Sequence, residues 1–463
     1  MKRNYILYGH KTKKLRDKFL LIAEHGSWSV LSEKDYADLR KHRLKQTKLN
    51  ELKRKGIIIN KKTIEKAVEL TKQKNQFLFN GTSLHIAVPT LRCNHTCVYC
   101  HSKAKPQKLK GYDMDKETAK KTVDFIFQSP SKAIAIEFQG GEPLLSFEIV
   151  EFIIDYAKKL NKKHKKNLRF DLVTNLSAMD HDILKYLINN KIGLCTSLDG
   201  PKELHDKNRK LLGGSSYEKT VHWIKEIKGD YNYNTGALMV TTKFSLPFWK
   251  EIIEEYRKNK LEWIKLRFLD NLGYAQKNFS KISYTTEEYI DFWLKSMEYL
   301  VALNKSYLLG ERMTTYILAK LKGKWINYVD FQSPCGAAIG QLAYAQDGSI
   351  YTCDEARMFE MFKLGNVRKD NYKDILASEQ TCSIIAASTN DCLLCDACVY
   401  KPFCGVCPVC TYASTGTLIP KLAMDDRCKI YKAMFNYIFE NLIFSPQHKK
   451  VFNKWTRKLN EIM

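Results

Sequence analysis

Cysteine placement constrains this chain more than any other feature. Of its fourteen cysteines, three crowd into Cys93, Cys97 and Cys100, one stands alone at Cys195, and the rest fall between Cys335 and Cys428. No secretory signal opens the sequence: Met1-Lys2-Arg3 is followed by a short apolar run, Tyr5 to Tyr8, that ends at Gly9. No stretch approaches the roughly 18 consecutive apolar residues of a membrane helix. These features set the expectation of a cytoplasmic chain without a membrane segment. In such a compartment clustered thiols serve metals or redox chemistry more often than disulfides.

At 463 residues the chain is long enough for two or three domains. Residues 1–80 lack the cysteine chemistry. Phe19–Ile22 and Trp28–Leu31 read as strands about a turn at Glu24-His25-Gly26, and Ser32 with Asp35 reads as a helix N-cap. A charged helical stretch toward Leu52 and a strand at Ile57–Ile59 complete a winged-helix-like module. Residues 81–275 alternate strands (Leu84–Val88, Ala133–Phe138, Leu168–Thr174, Gly193–Leu198, Gly236–Thr241, Trp263–Phe268) with helical segments. The helical segments are Lys116–Gln128, Phe147–Leu160, Asp180–Asn189, Tyr217–Lys228 and Pro247–Asn259. That order predicts an α/β fold with a parallel sheet curved into a partial (β/α)6 barrel. A helical connector is expected over 276–334. The cysteine-rich region 335–463 shows few clear helices or strands, so metal sites are expected to hold it together.

The segment Cys93-Asn94-His95-Thr96-Cys97-Val98-Tyr99-Cys100 follows the first barrel strand. Three thiolates in one loop can hold three corners of a cubic iron–sulfur cluster, which takes four cysteines when the protein ligates it fully. One iron is then open to a small molecule. Zinc is the alternative, with His95 or His101 as fourth ligand.

CxxxCxxC at this place resembles the radical SAM superfamily, and Tyr99 matches its aromatic position. The resemblance implies a 4Fe–4S cluster whose open iron chelates S-adenosylmethionine and whose electron releases a 5′-deoxyadenosyl radical. Further motifs arrive in the family's order. Gly140-Gly141-Glu142-Pro143 follows the second strand; its glycines let backbone approach the ligand, and Glu142 can accept from an ammonium group. Thr174-Asn175 ends the third strand, and Asn175 is expected to line the same pocket. Ser197-Leu198-Asp199-Gly200-Pro201 follows the fourth strand, with His205-Asp206 and Arg209 beyond it. The resemblance gives Ser197 and Arg209 the S-adenosylmethionine carboxylate, a role that suits the guanidinium fork.

In the tail, Cys335, Gly348 and Cys353 form C-x12-G-x4-C, and Cys395, Cys398 and Cys404 form CxxC-x5-C. Cys407, Cys410 and Cys428 follow. This resembles the SPASM extension of peptide-modifying radical SAM enzymes and implies two auxiliary 4Fe–4S clusters. Carried over position by position, Cys395, Cys398, Cys404 and Cys428 hold the outer one. Cys335, Cys353 and one or both of Cys407 and Cys410 hold the inner one. The family pattern puts three residues after the third cysteine of the second block; here Cys404 and Cys407 are separated by two, and Cys410 follows by two more. Cys382 and Cys392 have no assigned place, and Cys195 reads as core. Paired zinc ribbons are the alternative for these thiols.

Glu137–Glu142, Thr196–Asp199, Asp354-Glu355-Ala356-Arg357-Met358 and Leu364–Val367 further resemble the His-Xaa-Ser system radical SAM maturases. That resemblance implies a ribosomally made precursor peptide as substrate, crosslinked by a carbon–carbon or thioether bond. An electron donor such as flavodoxin or ferredoxin is then needed. Residues 1–80 are expected to bind the peptide's leader at a sheet edge. Asp270 and Tyr274 lie near the expected substrate position, and Arg267 near the cofactor. The competing enzyme reading is oxidation of a cysteine or serine in a sulfatase. The net charge of +26 favours a nucleic-acid binder instead, but the lysines are scattered as on a solvated surface, and no RNA-binding motif accompanies them.

Overall fold

The computed structural model describes residues 5–61, 63–102, 104–326, 331–421 and 425–462. Residues 327–330 of the expected connector lie outside these.

The first strands are β1 (His10–Leu15), β2 (Lys18–Ala23) and β3 (Trp28–Ser32), an antiparallel sheet in that order. The Ser32 hydroxyl caps α1 (Glu33–Arg40) by accepting from the Asp35 amide at 3.0 Å. The charged helical stretch is two helices, since α1 stops at Lys41 and α2 (Gln46–Arg54) starts afresh. Between them Leu44 turns inward, 1 % exposed. Ile58–Ile59 pairs with Ile6–Leu7 rather than with the main sheet, and α3 (Ile64–Asn75) follows. Leu21, Leu31, Leu39, Leu49, Leu52 and Ile58 close a core of their own.

The central sheet runs through β4 (Leu84–Thr90), β5 (Ala133–Gly140), β6 (Asn167–Val173), β7 (Gly193–Ser197), β8 (Thr235–Val240) and β9 (Leu266–Arg267), all parallel neighbours. The last expected strand is split. Trp263–Ile264 pairs with Gly310–Glu311, and only Leu266–Arg267 joins β8. Alternation in β5 shows why the sheet has two faces. Ile134, Ile136 and Phe138 are buried toward the helices, while Ala135, Glu137 and Gln139 are half-buried on the concave face. Cys195, read from the sequence as core, shares the half-buried face of β7 with Gly193 and Ser197.

The helices α4 (Lys116–Ile126), α5 (Phe147–His164), α6 (His181–Asn189), α7 (Lys202–Asn208), α8 (Ser216–Gly229) and α9 (Trp249–Lys258) fall between strands. After β9 come α10 (Tyr274–Ile282), α11 (Thr286–Leu303) and α12 (Arg312–Leu321). The cysteine-rich region then adds β10 (Gln341–Tyr344) to the barrel sheet, parallel to β4, followed by antiparallel β11 (Ser349–Tyr351) and β12 (Lys363–Asn366).

The tail also departs from expectation. Beyond short helices α13 (Leu393–Asp396) and α14 (Pro408–Thr415) it ends in α15 (Asp426–Phe444) and α16 (Pro446–Ile462). Ile430, Met434, Phe435, Ile438, Phe439 and Trp455 pack into the main core. Apolar burial at helical spacing, not metal alone, therefore holds this end. No described helix is long and apolar enough to cross a membrane.

Candidate iron–sulfur and cofactor site

The loop after β4 is fixed from several sides. His95–Cys97 pairs antiparallel with Arg209–Leu211, which sets Arg209 directly opposite Cys97. The Val98 amide donates to the Asn208 carbonyl at 2.9 Å, and Asn278 of α10 donates to the Val98 carbonyl at 2.9 Å. The Tyr274 amide donates to the Cys100 carbonyl at 2.7 Å, and the Tyr274 hydroxyl to the Ala104 carbonyl at 3.0 Å. Tyr274 is thus a brace for the thiol loop, not a free acid near substrate.

The two glycines of Gly140-Gly141-Glu142 serve this loop as well. A Cβ on Gly140, whose φ is +131°, would lie 2.5 Å from the Thr90 carbonyl oxygen, and one on Gly141 would lie 2.1 Å from that of Arg92. The amides of Gly141 and Glu142 donate to those same carbonyls at 2.9 and 2.8 Å. The close approach is therefore to the backbone that leads into the cysteines. Glu142 is 1 % exposed. Its Oε1 accepts from the Thr174 hydroxyl at 2.6 Å and the Leu144 amide at 3.1 Å, and its Oε2 from the Asn175 amide at 2.7 Å. Burial still pushes its carboxyl up to about 6. Asn175 in turn donates to Asn94 Oδ1 at 3.0 Å and reaches Cys93 Sγ at 3.9 Å.

On the other side of the loop Asp199, fully buried, accepts from the Tyr99 hydroxyl at 2.5 Å and pairs with Arg209 at 3.4 Å. Arg209 lies over the Tyr99 ring at 5.3 Å and reaches Cys97 Sγ at 3.9 Å. Sequence reading had singled out Tyr99 and Arg209 but gave Asp199, the residue that joins them, no role. Ser197 ends β7 half-buried beside them.

These thiols suit iron. Burial raises the Cys93 thiol far above its ordinary range and pushes Cys97 up to about 12, so each stays protonated until a soft cation takes its charge. Of the two histidines that could complete a zinc site, His95 is held at both nitrogens, by Asn94 at 3.0 Å and Ser216 at 2.8 Å, while His101 has its Nε2 2.6 Å from Asp354.

In the tail the remaining thiols fall into two sets. Cys335, Cys353, Cys407 and Cys410 share one small apolar cluster with Leu272, Phe362 and Val409. The Cys410 thiol donates to Cys407 Sγ, and so does the Cys410 amide at 3.4 Å; together, and against burial, they favour the Cys407 thiolate. Cys395, Cys398, Cys404 and Cys428 line a second, apolar hollow with Leu394, Tyr400 and Phe435. Cys392 hydrogen-bonds Cys395 at the rim of this set, while Cys382 is exposed. Each set supplies four soft donors, the number that a fully ligated four-iron cluster takes.

Polar links join the barrel to the inner set. His101, next to Cys100, bonds Asp354, next to Cys353, and Arg357 clamps Asp354 Oδ1 at 2.5 and 3.1 Å. Against the cost of burial, Arg357 and His101 hold the Asp354 carboxyl well below the usual range. Arg267 binds Asp270 at 2.7 Å and Glu355 at 2.9 Å, and Arg427 binds Asp270 at 2.5 Å. Asp270, caught between two guanidiniums and likewise kept ionised despite burial, is a poor base. Arg267 reaches the inner set rather than the barrel loop. Asp270, Arg427 and Cys410 face a cavity of about 270 Å³ that opens beside the inner thiols.

The profile of the radical SAM superfamily matches residues 87–245, and that of an iron–sulfur cluster-binding domain, SPASM, matches residues 335–399. The chain is 27 % identical over 376 residues to a cysteine-type anaerobic sulfatase-maturating enzyme of Clostridium perfringens, covering 78 % of this chain and 97 % of that one. Its fold is similar to that of anSMEcpe with bound AdoMet and Kp18Cys peptide, with TM-score 0.67 at 22 % identity over 80 % of this chain and 99 % of the other. It is also similar to Streptococcus suis SuiB bound to the precursor peptide SuiA, with TM-score 0.55 at 15 % identity over 88 % and 96 %.

Proposed function

We propose that this chain, a radical SAM enzyme with an iron–sulfur-binding SPASM extension, is a peptide maturase that oxidises a side chain or α-carbon of a ribosomally made precursor and closes a carbon–carbon or thioether crosslink. The observation that carries this reading is the direct tie between the barrel thiol loop and the inner auxiliary thiols. Cys100-His101 meets Asp354-Cys353 through a 2.6 Å contact, so a substrate at the barrel mouth would have both thiol sets beside it.

Cys93, Cys97 and Cys100 would hold the S-adenosylmethionine-binding cluster, which with its cofactor supplies the hydrogen-abstracting radical. Cys395, Cys398, Cys404 and Cys428 would hold the outer auxiliary cluster; Cys335, Cys353, Cys407 and Cys410 the inner one. Ser197 and Arg209 orient the cofactor's carboxylate. Asn175 and the Gly140–Glu142 turn shape the opposite wall, where Glu142 acts by locking Asn175 rather than by meeting the ammonium itself. A crosslink removes two hydrogens from the peptide. One would leave with the radical; the other would depart as an electron, which an auxiliary cluster would be able to accept, and a proton that the His101 imidazole, backed at Nε2 by ionised Asp354, is placed to take.

The names of the relatives carry both readings of the substrate. SuiB binds a precursor peptide, and the Clostridium relative matures a sulfatase at a cysteine. Anaerobic incubation of reconstituted enzyme with S-adenosylmethionine, a reductant and any small peptide found encoded beside the gene decides between them. A product lighter by two hydrogens per turnover supports the crosslink. An unchanged precursor, together with conversion of a cysteine in a sulfatase-derived peptide to an aldehyde, replaces it with sulfatase maturation.

A further inference from the structure

The N-terminal module does not stand apart from the tail. Trp28 of β3 donates through Nε1 to the Leu321 carbonyl at 2.9 Å and meets Phe439 of α15 edge-on at 5.4 Å. Arg16 and Lys18 lie over the ring of Phe444, at the end of that helix. Between these contacts β1 delivers one side chain to the outer thiol set. The Lys13 ammonium donates to Asn436 Oδ1 at 2.5 Å and sits 5.3 Å from the centre of the Tyr400 ring. Tyr400 donates to the same Asn436 oxygen at 2.5 Å, and its ring lines the hollow shared by Cys395, Cys398, Cys404 and Cys428. Lys13 is half-buried, and Cys398, Glu440 and Lys432 are the ionisable groups close enough to act on its charge.

We propose that the N-terminal module is a working part of the outer auxiliary site, where Lys13 places a positive charge that raises the reduction potential of the cluster held by those four cysteines. An added electron is stabilised by a nearby cation, and in a partly buried setting water screens that attraction poorly. The Tyr400 ring lies between the ammonium and the hollow, so the effect would be one of charge and not of ligation. Asn436 anchors both partners, which holds the charge at a fixed distance. The inference rests on the assignment of these four cysteines to one cluster. It also means that deleting residues 1–80 alters the outer cluster as well as any leader contact, so truncation alone cannot test leader recognition.

The test uses full-length, reconstituted enzyme. Iron content and spectroscopically monitored redox titrations are compared for wild type, Lys13→Met and Lys13→Arg. Lys13→Met should retain wild-type iron and shift one auxiliary midpoint to a more negative potential, leaving the other centres in place, while Lys13→Arg stays near wild type. Asn436→Asp, which sets a negative charge at the same contact without disturbing the module's own core, should also lower that midpoint. Unchanged midpoints in Lys13→Met and Asn436→Asp at full iron content would overturn the proposal. An equal shift in Lys13→Arg would assign the effect to packing and overturn it too. Cys398→Ala with wild-type iron would instead refute the underlying cluster assignment.

Discussion

The barrel thiol loop and the outer thiol set of the tail present the same donor chemistry in opposite settings. Around Cys93, Cys97 and Cys100, side chains and backbone from β6, α7 and α10 hold nearly every turn: Asn175 beside Cys93, the Asn208 carbonyl and Asn278 on Val98, Asp199 on Tyr99. Around Cys395 and Cys398 the surface is open. Leu393 is 88 % and Leu394 48 % exposed, and the lysine that orders this turn, Lys401, holds the exposed Asp391 and Asp396. Exposed ion pairs contribute little. The barrel loop is therefore held by many protein contacts, whereas the outer loop is held by fewer and should depend more on its metal.

The strongest test of that contrast is chemical. Replacing Cys93, Cys97 and Cys100 with alanine should remove about one cluster's iron and abolish 5′-deoxyadenosine formation, yet leave the loop's backbone in place. Wild-type 5′-deoxyadenosine production by the triple variant would refute the site. Removing iron with a chelator comes next. Amides of residues 392–398 should exchange with solvent roughly tenfold faster or more, about 1.4 kcal/mol of local stability, while the Val98 amide keeps its protection. Equal loss of protection in both segments would erase the distinction.

Smaller effects probe the braces themselves. Tyr99→Phe strips buried Asp199 of a donor and should cost about 1–3 kcal/mol in denaturant unfolding, with S-adenosylmethionine cleavage reduced but present. Acid tests the seam between barrel and tail. His85 of β4 bonds the Tyr344 hydroxyl of β10 at 2.8 Å, and burial lowers its pKa to about 3. The unfolded chain takes up this proton near the ordinary histidine value, while the folded protein does not. Stability should therefore fall as pH drops below about 6.5, by about 1 kcal/mol over the first pH unit, and continue falling toward about 3. His85→Phe should flatten that slope in thermal melts across pH, and an unchanged slope would remove His85 as its source.

Much of this was legible in the sequence because period-2 runs and thiol spacing are local signals. β4 to β8 lie where the apolar runs put them, and Cys335, Cys353, Cys407 and Cys410 lie in one apolar cluster while Cys395, Cys398, Cys404 and Cys428 line another hollow. What was hidden depends on distant partners. β1 reads His-Lys-Thr-Lys-Lys-Leu, where lysines mask a strand whose pairing comes from β2. Asp199, Asp354 and His101 are single polar residues whose roles appear only when separate loops meet. The helical period in α15, with Ile430, Met434 and Ile438 buried, was present but lay beside the cysteines that drew attention to metals. The hydrogen bonds that Glu142 accepts from Thr174 and Asn175, residues more than thirty positions away, were hidden for the same reason.

The parallel pairing of β10 with β4 carries an engineering consequence. Leu84 to Ala87 register with Gln341 to Tyr344, so the tail's first strand seals the flank of the catalytic sheet. Severing the chain before residue 335 would leave β4, still paired with β5 on one side, with its other edge a row of unpaired amides and carbonyls. Such a truncated barrel should associate edge to edge rather than remain dispersed. Chimeras that graft a foreign barrel onto this tail inherit the same demand: the junction that must be matched is a strand register, not a linker.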